Sequence, residues 1–146
     1  MVEKLLQILP KENIVYFGDT ARVPYGNKSK ETVTRFSKEI VKFLLRFKVK
    51  LVIVACNTAS SLSLEVLKNT FRVPVVGVIK PGVEEALRLS KTKRIGVIGT
   101  DATVASNTYK KEILARRKNS FVIQKSCPLF VPLVENEWLN DDITRR

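Results

Sequence analysis

The sequence predicts an α/β protein with a doubly wound, mainly parallel sheet that carries helices on both faces. Three observations predict this class. Short apolar runs alternate with longer segments of helical spacing, most of these runs end in glycine or small polar residues, and 146 residues with 45% hydrophobic content can bury one ordinary core. We therefore expect a first lobe over residues 1–92, and the start of a second, similar lobe over residues 93–146.

The elements of the first lobe are predicted in chain order. A helix over residues 1–9 has apolar residues at helical spacing and stops at Pro10. A short strand over residues 14–17 runs into a turn-rich loop, and Ser29 is the predicted N-cap of the next helix. One face of that helix carries Val33, Phe36, Ile40, Phe43, Leu44 and Phe47.

The rest of the chain repeats the alternation. We predict strands over residues 51–56, 73–79, 95–98 and 121–123, and helices over residues 58–71, 81–90 and from about 103 to 117. Pro81 fits the opening turn of its helix, where a missing N–H costs nothing. The sequence predicts neither a helix nor a strand over residues 127–132. Parallel strands joined by helices are the expected outcome.

Composition limits the classes of function. The chain has 26 Lys and Arg against 14 Asp and Glu, a net charge of +12, but its cations are scattered without interleaved aromatic residues. A nucleic-acid partner is therefore disfavoured, whereas an anionic small substrate would be attracted. No apolar run approaches the roughly 20 residues of a membrane helix, so no membrane partner is expected.

Metal and nucleotide cofactors are not predicted. The chain has no histidine, its two cysteines lie far apart, and its glycines match neither common nucleotide-binding spacing. Two cysteines without an apolar leader segment predict a reduced, cytoplasmic protein without a Cys56–Cys127 disulfide. The sequence does not determine the oligomeric state, and it is compatible with a homo-oligomer.

Cys56 is the most informative residue. The strand 51–56 runs directly into Cys56, and Asn57, Thr58 and Ser60 then open a helix. The N–H groups and positive dipole end of a helix N-terminus stabilise an anionic sulfur or a bound carboxylate. A small buried structural thiol is the alternative, but it would not need these polar neighbours.

Three strand ends carry small polar residues. They are Gly18-Asp19-Thr20, Cys56-Asn57-Thr58 and the run from Gly99 to Thr103. Ligands of open α/β sheets bind at the carboxyl ends of strands, so we expect these segments to converge on one site.

Five segments, in order, resemble the glutamate racemase family and cover nearly the whole chain. They are IVYFGDTARVPYG at 14–26, VACNTAS at 54–60, GVIKPG at 77–82, IGVIGT with ATV at 95–104, and CPLFVPLVE at 127–135. The resemblance implies a cofactor-independent isomerase that interconverts L- and D-glutamate and supplies the D-isomer for peptidoglycan. An aspartate-type racemase and a non-catalytic basic fragment are the alternatives.

The resemblance also implies roles for particular residues. Cys56 resembles the thiol that exchanges a proton with the D-enantiomer. The second family thiol lies in a Gly-Cys-Thr-His segment that this sequence lacks, so Cys127 is not its equivalent and is interpreted as a packed thiol. The family's opening strand, ending in Asp-Ser-Gly, is also absent, and we expect this chain alone to be incomplete and weakly active or inactive.

The implied substrate contacts are Tyr25, Gly26, Asn57, Thr58 and Thr103. Asp19 is expected to tie down the loop, and Glu135 resembles a glutamate near the second base. From the residues alone, Tyr25-Gly26 also fits a simple turn, Thr58 a helix cap and Glu135 a solvated carboxylate.

Overall fold

A computed structural model of the chain describes residues 1–140, 142 and 144. Its elements alternate along the chain, with a short 3₁₀ turn at Thr20–Arg22. The helices are α1 Val2–Ile8, α2 Lys30–Leu45, α3 Asn57–Thr70, α4 Ile79–Leu89, α5 Asp101–Ala105, α6 Thr108–Arg116 and α7 Phe130–Glu135. The strands are β1 Val52–Val54, β2 Val75–Gly77, β3 Arg94–Gly99 and β4 Phe121–Ser126.

The strands pair in parallel, which confirms the predicted α/β class. β1 pairs with β2 in the register Val52 to Val75, and β3 pairs with β4 in the register Arg94 to Phe121. In the part of the chain that the structure describes, these form two two-stranded sheets. One face of each sheet packs on helices, while the alternate residues are exposed, among them Ile53, Val76, Ile98, Phe121 and Ile123.

Two buried clusters hold the helices on the strands. The first joins α2, β1, α3 and β2 through Val41, Val52, Leu67 and Val75. The second joins α4, β3 and α6 through Ile79, Val83, Leu87, Val97 and Ile113. Helix α4 thus shares its core with β3 and α6, and the division into lobes at residue 92 stays a prediction.

Helix α2 begins where the sequence predicts. The Ser29 side chain accepts a hydrogen bond from the Thr32 N–H at 3.2 Å, which satisfies one of the unpaired donors of the first turn. The predicted apolar face is only partly buried: Val33 is fully buried, but Phe43 and Phe47 are 39% and 54% exposed. The buried line runs instead through Val33, Ser37 and Val41, because this face meets the serine-rich face of α3.

The predicted strand over residues 14–17 is wrong. These residues form no regular element, and their side chains are exposed. A strand needs a neighbour to complete its hydrogen bonds, and among the described residues no strand pairs with this segment. The segment lies beside α2, with the Phe17 and Phe43 ring centroids 5.3 Å apart.

The predicted long helix that ends near residue 117 is also wrong in one respect. It is divided into α5 and α6 at Asn107, which adopts a left-handed backbone conformation with φ of 56°. β4 extends beyond the predicted 121–123, and residues 130–135 form α7. The remaining predicted helices and strands are present with shifts at their ends.

The helices are short. The longest within the described residues, α2, has 16 residues. None of the described helices is both long enough and apolar enough to cross a membrane.

Candidate active site at the carboxyl ends of β1 and β3

Cys56 is the N-cap of α3. β1 ends at Val54, the Cys56 backbone is extended, and its carbonyl accepts the first helical hydrogen bond from the Ser60 N–H at 2.9 Å. The thiol is free and exposed, and its sulfur makes no capping hydrogen bond. The predicted placement of a thiol at a helix N-terminus is therefore confirmed, and the sulfur is open to a ligand.

Three threonine hydroxyls join the ends of β1 and β3. The Oγ1 atom of Thr58 lies 3.0 Å from Oγ1 of Thr100 and 3.3 Å from Oγ1 of Thr103. The Thr100 hydroxyl donates to Thr103 at 3.0 Å and also caps α5 by accepting from the Thr103 N–H. Thr58 and Thr103 are each 3% exposed, so these hydroxyls hold the two strand ends together from beneath the surface.

Gly26 brings the loop between α1 and α2 to the same place. Its carbonyl accepts a hydrogen bond from the Ala102 N–H at 3.2 Å. A Cβ atom at position 26 would lie 2.5 Å from Cγ2 and 2.6 Å from Cβ of Thr100. The close approach requires glycine, and it brings this loop to the end of β3, which the threonine hydroxyls join to the end of β1.

Tyr25 is held in this loop by Asp19. Its hydroxyl donates to the Asp19 carboxylate, whose other partner is Arg22, with Nε and Oδ2 2.8 Å apart. Burial, followed by the hydrogen bond and charge of Asp19, raises the pKa of Tyr25. A negative charge on Cys56 raises it further, so the phenol remains protonated near the thiol.

Asp19 is ionised in this network. Burial alone would raise the pKa of Asp19, but hydrogen bonds from Arg22 and Tyr25, together with the Arg22 charge, outweigh it and lower the pKa. Arg22 also pairs with Glu39 of α2 at 2.5 Å and stacks over the Phe36 ring at 4.2 Å. The expected role of Asp19 in tying down the loop agrees with these contacts.

Asn57 is the first residue of α3 and is exposed beside Cys56. The Tyr109 hydroxyl of α6 donates to its Oδ1 atom at 2.5 Å. The site therefore offers an exposed thiol and an exposed carboxamide on one helix start.

Glu135 and Cys127 are placed differently. Glu135 is the exposed last residue of α7, and within the described residues no cation pairs with its carboxylate. Cys127 is half-buried, and its N–H donates to the Gly99 carbonyl at 2.8 Å. The structure joins neither side chain to the threonine cluster by a hydrogen bond.

Sequence reasoning did not select Arg22, Thr100 and Tyr109. Arg22 and Thr100 stand inside the quoted motifs, and the Gly-Thr-Asp-Ala-Thr run contains a helix-cap signal that identifies Thr100. Tyr109 gives no local signal, because it contacts Asn57 across 52 residues of sequence. Among the described residues, no three His, Cys, Asp or Glu side chains form a candidate metal cluster.

Together these features define a class of protein: an α/β fold with an exposed thiol, a carboxamide and hydroxyl groups at the carboxyl ends of parallel strands, suited to a small polar substrate. The family model described as Asp/Glu/Hydantoin racemase matches residues 1–135. The chain belongs to this racemase family.

Individual relatives agree with the family. The chain is 52% identical to the glutamate racemase of Aquifex aeolicus over 146 residues, covering 100% of this chain and 57% of the relative. It is 48% identical to that of Geobacter metallireducens over 143 residues, covering 98% and 53%. The chain thus spans about half the length of the curated relatives it matches.

Solved structures show the same fold. The glutamate racemase isoform RacE1 of Bacillus anthracis superposes with a TM-score of 0.93 at 39% identity, covering 98% of this chain and 54% of that one. The Francisella tularensis glutamate racemase, solved in complex with D-glutamate, gives 0.88 at 39% identity, covering 97% and 53%.

Proposed function

We propose that an enzyme containing this chain interconverts L- and D-glutamate by removing the Cα hydrogen as a proton and returning a proton to the opposite face, and that this chain supplies the proton transfer on one of the two faces. The exposed thiol of Cys56 at the N-terminus of α3 is the observation that carries this proposal. The names of the relatives and the bound D-glutamate of one solved neighbour support glutamate as the substrate.

The chemistry follows from the residue types. The Cα–H bond breaks, the proton passes to the Cys56 thiolate, and the electron pair left on Cα is delocalised into the substrate carboxylate. Hydrogen-bond donors near that carboxylate stabilise the developing charge. Asn57 supplies such donors from its carboxamide, and the buried hydroxyls of Thr58 and Thr103 fix the helix start that presents it.

Tyr25 and Gly26 form the loop side of the proposed pocket. The Tyr25 hydroxyl is engaged by Asp19, so we assign Tyr25 a role in shaping the pocket and Gly26 the close backbone approach to Thr100. As the family resemblance implies, we propose that Glu135 lies near the second base of the complete enzyme.

Inversion needs a second acid on the other face of Cα. The only other thiol in the sequence is Cys127, which is half-buried. The family resemblance instead implies a cysteine in a Gly-Cys-Thr-His segment, and the sequence contains no histidine. We propose that this chain alone holds one of the two acid–base groups, and therefore exchanges the α-proton weakly without inverting the substrate.

The proposal also covers the cofactor requirement, the use of the product and the cellular location. A thiol base needs no organic cofactor or metal, so we propose cofactor-independent catalysis. The D-isomer would serve peptidoglycan synthesis, as the family resemblance implies. Both cysteines are free thiols, which supports a reducing, cytoplasmic location.

Proton NMR in D₂O tests the proposal. L- and D-glutamate are incubated separately with the chain, loss of each α-proton signal is followed, and product chirality is determined. We expect slow exchange of D-glutamate without inversion, abolished in Cys56→Ala and retained in Cys127→Ala. Exchange that persists in Cys56→Ala would contradict the role of this thiol, and inversion by the wild-type chain would contradict the single-base assignment.

A further inference from the structure

Tyr109 connects helix α6 to the proposed substrate site. It is the second residue of α6, and its hydroxyl donates to Oδ1 of Asn57 at 2.5 Å. We propose that Tyr109 is a positioning residue that fixes the Asn57 carboxamide so that its two Nδ2 hydrogens face the substrate carboxylate beside Cys56. This inference rests on the proposed function.

The Tyr109 side chain is itself held in place. Its ring packs against the buried cluster of α4, β3 and α6. The preceding residue, Thr108, donates from its hydroxyl to the Ser61 carbonyl of α3 at 3.2 Å. Asn107, the left-handed residue that starts α6, accepts a hydrogen bond from Nε2 of Gln124 at 2.8 Å. The start of α6 is therefore attached to both α3 and β4.

The hydrogen bond determines which way the carboxamide faces. A primary carboxamide has an acceptor oxygen on one side and a donor nitrogen on the other. Because the Tyr109 hydroxyl donates to Oδ1, the carboxamide oxygen is held toward α6, and Nδ2 is the end left to donate to a ligand. Within the described residues no acceptor takes a hydrogen bond from this nitrogen. Burial raises the pKa of Tyr109, so its hydroxyl stays protonated at neutral pH and remains able to donate.

An exposed asparagine at the first position of a helix would otherwise rotate freely. Ordering such a side chain on binding reduces affinity, and misdirecting the amide by half a turn would place oxygen against an anionic carboxylate. A hydroxyl fixed on a neighbouring helix removes both penalties before the substrate arrives.

The test compares Tyr109→Phe with Tyr16→Phe in the full chain. The first variant removes only the hydroxyl and keeps the packed ring, whereas Tyr16 is 74% exposed and outside the site, so it is the matched control. The Asn57 side-chain amide signals in a ¹⁵N-correlated spectrum, assigned with Asn57→Ala, report directly on the carboxamide. We expect Tyr109→Phe to shift these signals and raise their mobility, and Tyr16→Phe to leave them unchanged.

Binding gives the second readout. D-glutamate is titrated into each variant, and we expect Tyr109→Phe to weaken binding roughly threefold to tenfold, as expected for one neutral hydrogen bond. Asn57→Asp keeps an acceptor for Tyr109 but loses both donors, so it should weaken binding more than Tyr109→Phe does. In the Asn57→Ala background, Tyr109→Phe should have no further effect.

The outcomes separate this inference from the proposed function. Two results would overturn the positioning role. One is a Tyr109→Phe variant with unchanged Asn57 amide signals. The other is an equal loss of D-glutamate affinity when Tyr109→Phe is introduced into the wild-type chain and into Asn57→Ala. If the wild-type chain binds neither enantiomer, the proposed substrate assignment and the substrate-facing part of the inference both fail. If it binds glutamate but Tyr109→Phe binds equally well, only the inference fails.

Discussion

Cys56 and Cys127 both follow a parallel strand, yet their surroundings differ. Cys56 caps a helix of 14 residues, and its exposed sulfur lies beside Asn57 and near Tyr25. Cys127 comes before a turn and a helix of six residues, and its sulfur contacts the Lys125 carbonyl at 3.9 Å. The two strand ends therefore differ in the length of the helix that follows and in the exposure of the thiol, and on this difference we base the proposal that Cys56 is the reactive thiol.

Replacing the two thiols separately gives the largest expected effect. We expect Cys56→Ala to reduce α-proton exchange of D-glutamate by at least about 100-fold, because a positioned base contributes a factor of this order. Cys127→Ala should change the rate less than about twofold, since a half-buried thiol outside the site supplies no proton transfer. The NMR exchange rates measure both, and a comparable loss in the two variants would remove the distinction between the thiols.

Alkylation measures the same contrast without substrate. Iodoacetamide should modify Cys56 about tenfold faster than Cys127, because the first sulfur is exposed and the second is half-buried. Peptide mass spectrometry at several times gives both rates in one sample. Equal rates under native conditions would show that exposure does not separate the two thiols, and the unfolded chain provides the reference rate for each peptide.

Much of the fold was accessible from the sequence. Ser29, Pro81 and the apolar run before Cys56 are local signals, because a helix cap, a first-turn proline and a buried strand each depend on residues nearby in sequence. The thiol at the N-terminus of α3 was predicted in the same way. These elements need no information about distant partners.

The failures are elements that depend on distant partners. Residues 14–17 have a strand-like composition, but within the described chain no neighbouring strand receives their hydrogen bonds. The break at Asn107 coincides with a hydrogen bond from Gln124 on β4, and Tyr109 reaches Asn57 only once α6 is docked on α3. The roles of Tyr25, Gly26, Asn57, Thr58 and Thr103 came from the family resemblance and stay predictions.

Gly26 tests whether the loop must approach Thr100 for the Cys56 site to form. Gly26→Ala should reduce the free energy of unfolding by about 1–3 kcal/mol, because the added methyl overlaps the Thr100 side chain. Gly82→Ala is the matched control, since position 82 lies inside α4 and a Cβ there meets nothing within 4 Å. It should raise the free energy of unfolding by about 0.5–1 kcal/mol through helix propensity alone. Urea denaturation compares the two, and a Gly26→Ala variant as stable as Gly82→Ala would contradict the close approach.

Asp19→Asn should give the smallest effect, and it tests the charge that holds Tyr25 beside Cys56. The pKa of Tyr25 should fall toward its ordinary 10.0 without reaching it, because burial, the largest cause of the shift, remains. In the wild-type chain the folded pKa of Tyr25 lies above the unfolded value, so its stabilisation is complete below pH 10 and is lost as pH rises. The variant should therefore lose stability less steeply in alkali.

In acid, the pH dependence of stability that Asp19 contributes has the opposite sign. The folded pKa of Asp19 lies below 3.8, so its stabilisation is present above that pH and is lost as pH falls through the folded value, a loss that Asp19→Asn should not show. Tyrosinate absorbance measures the titration of Tyr25, and urea denaturation at several pH values measures the loss of unfolding free energy in alkali and in acid. Tyr25→Phe is the control. Asp19→Asn could change the alkaline loss of unfolding free energy equally in the wild-type chain and in Tyr25→Phe. The Asp19 carboxylate would then not act through Tyr25, and the Gly26 and threonine contacts alone would hold the polar neighbours of Cys56.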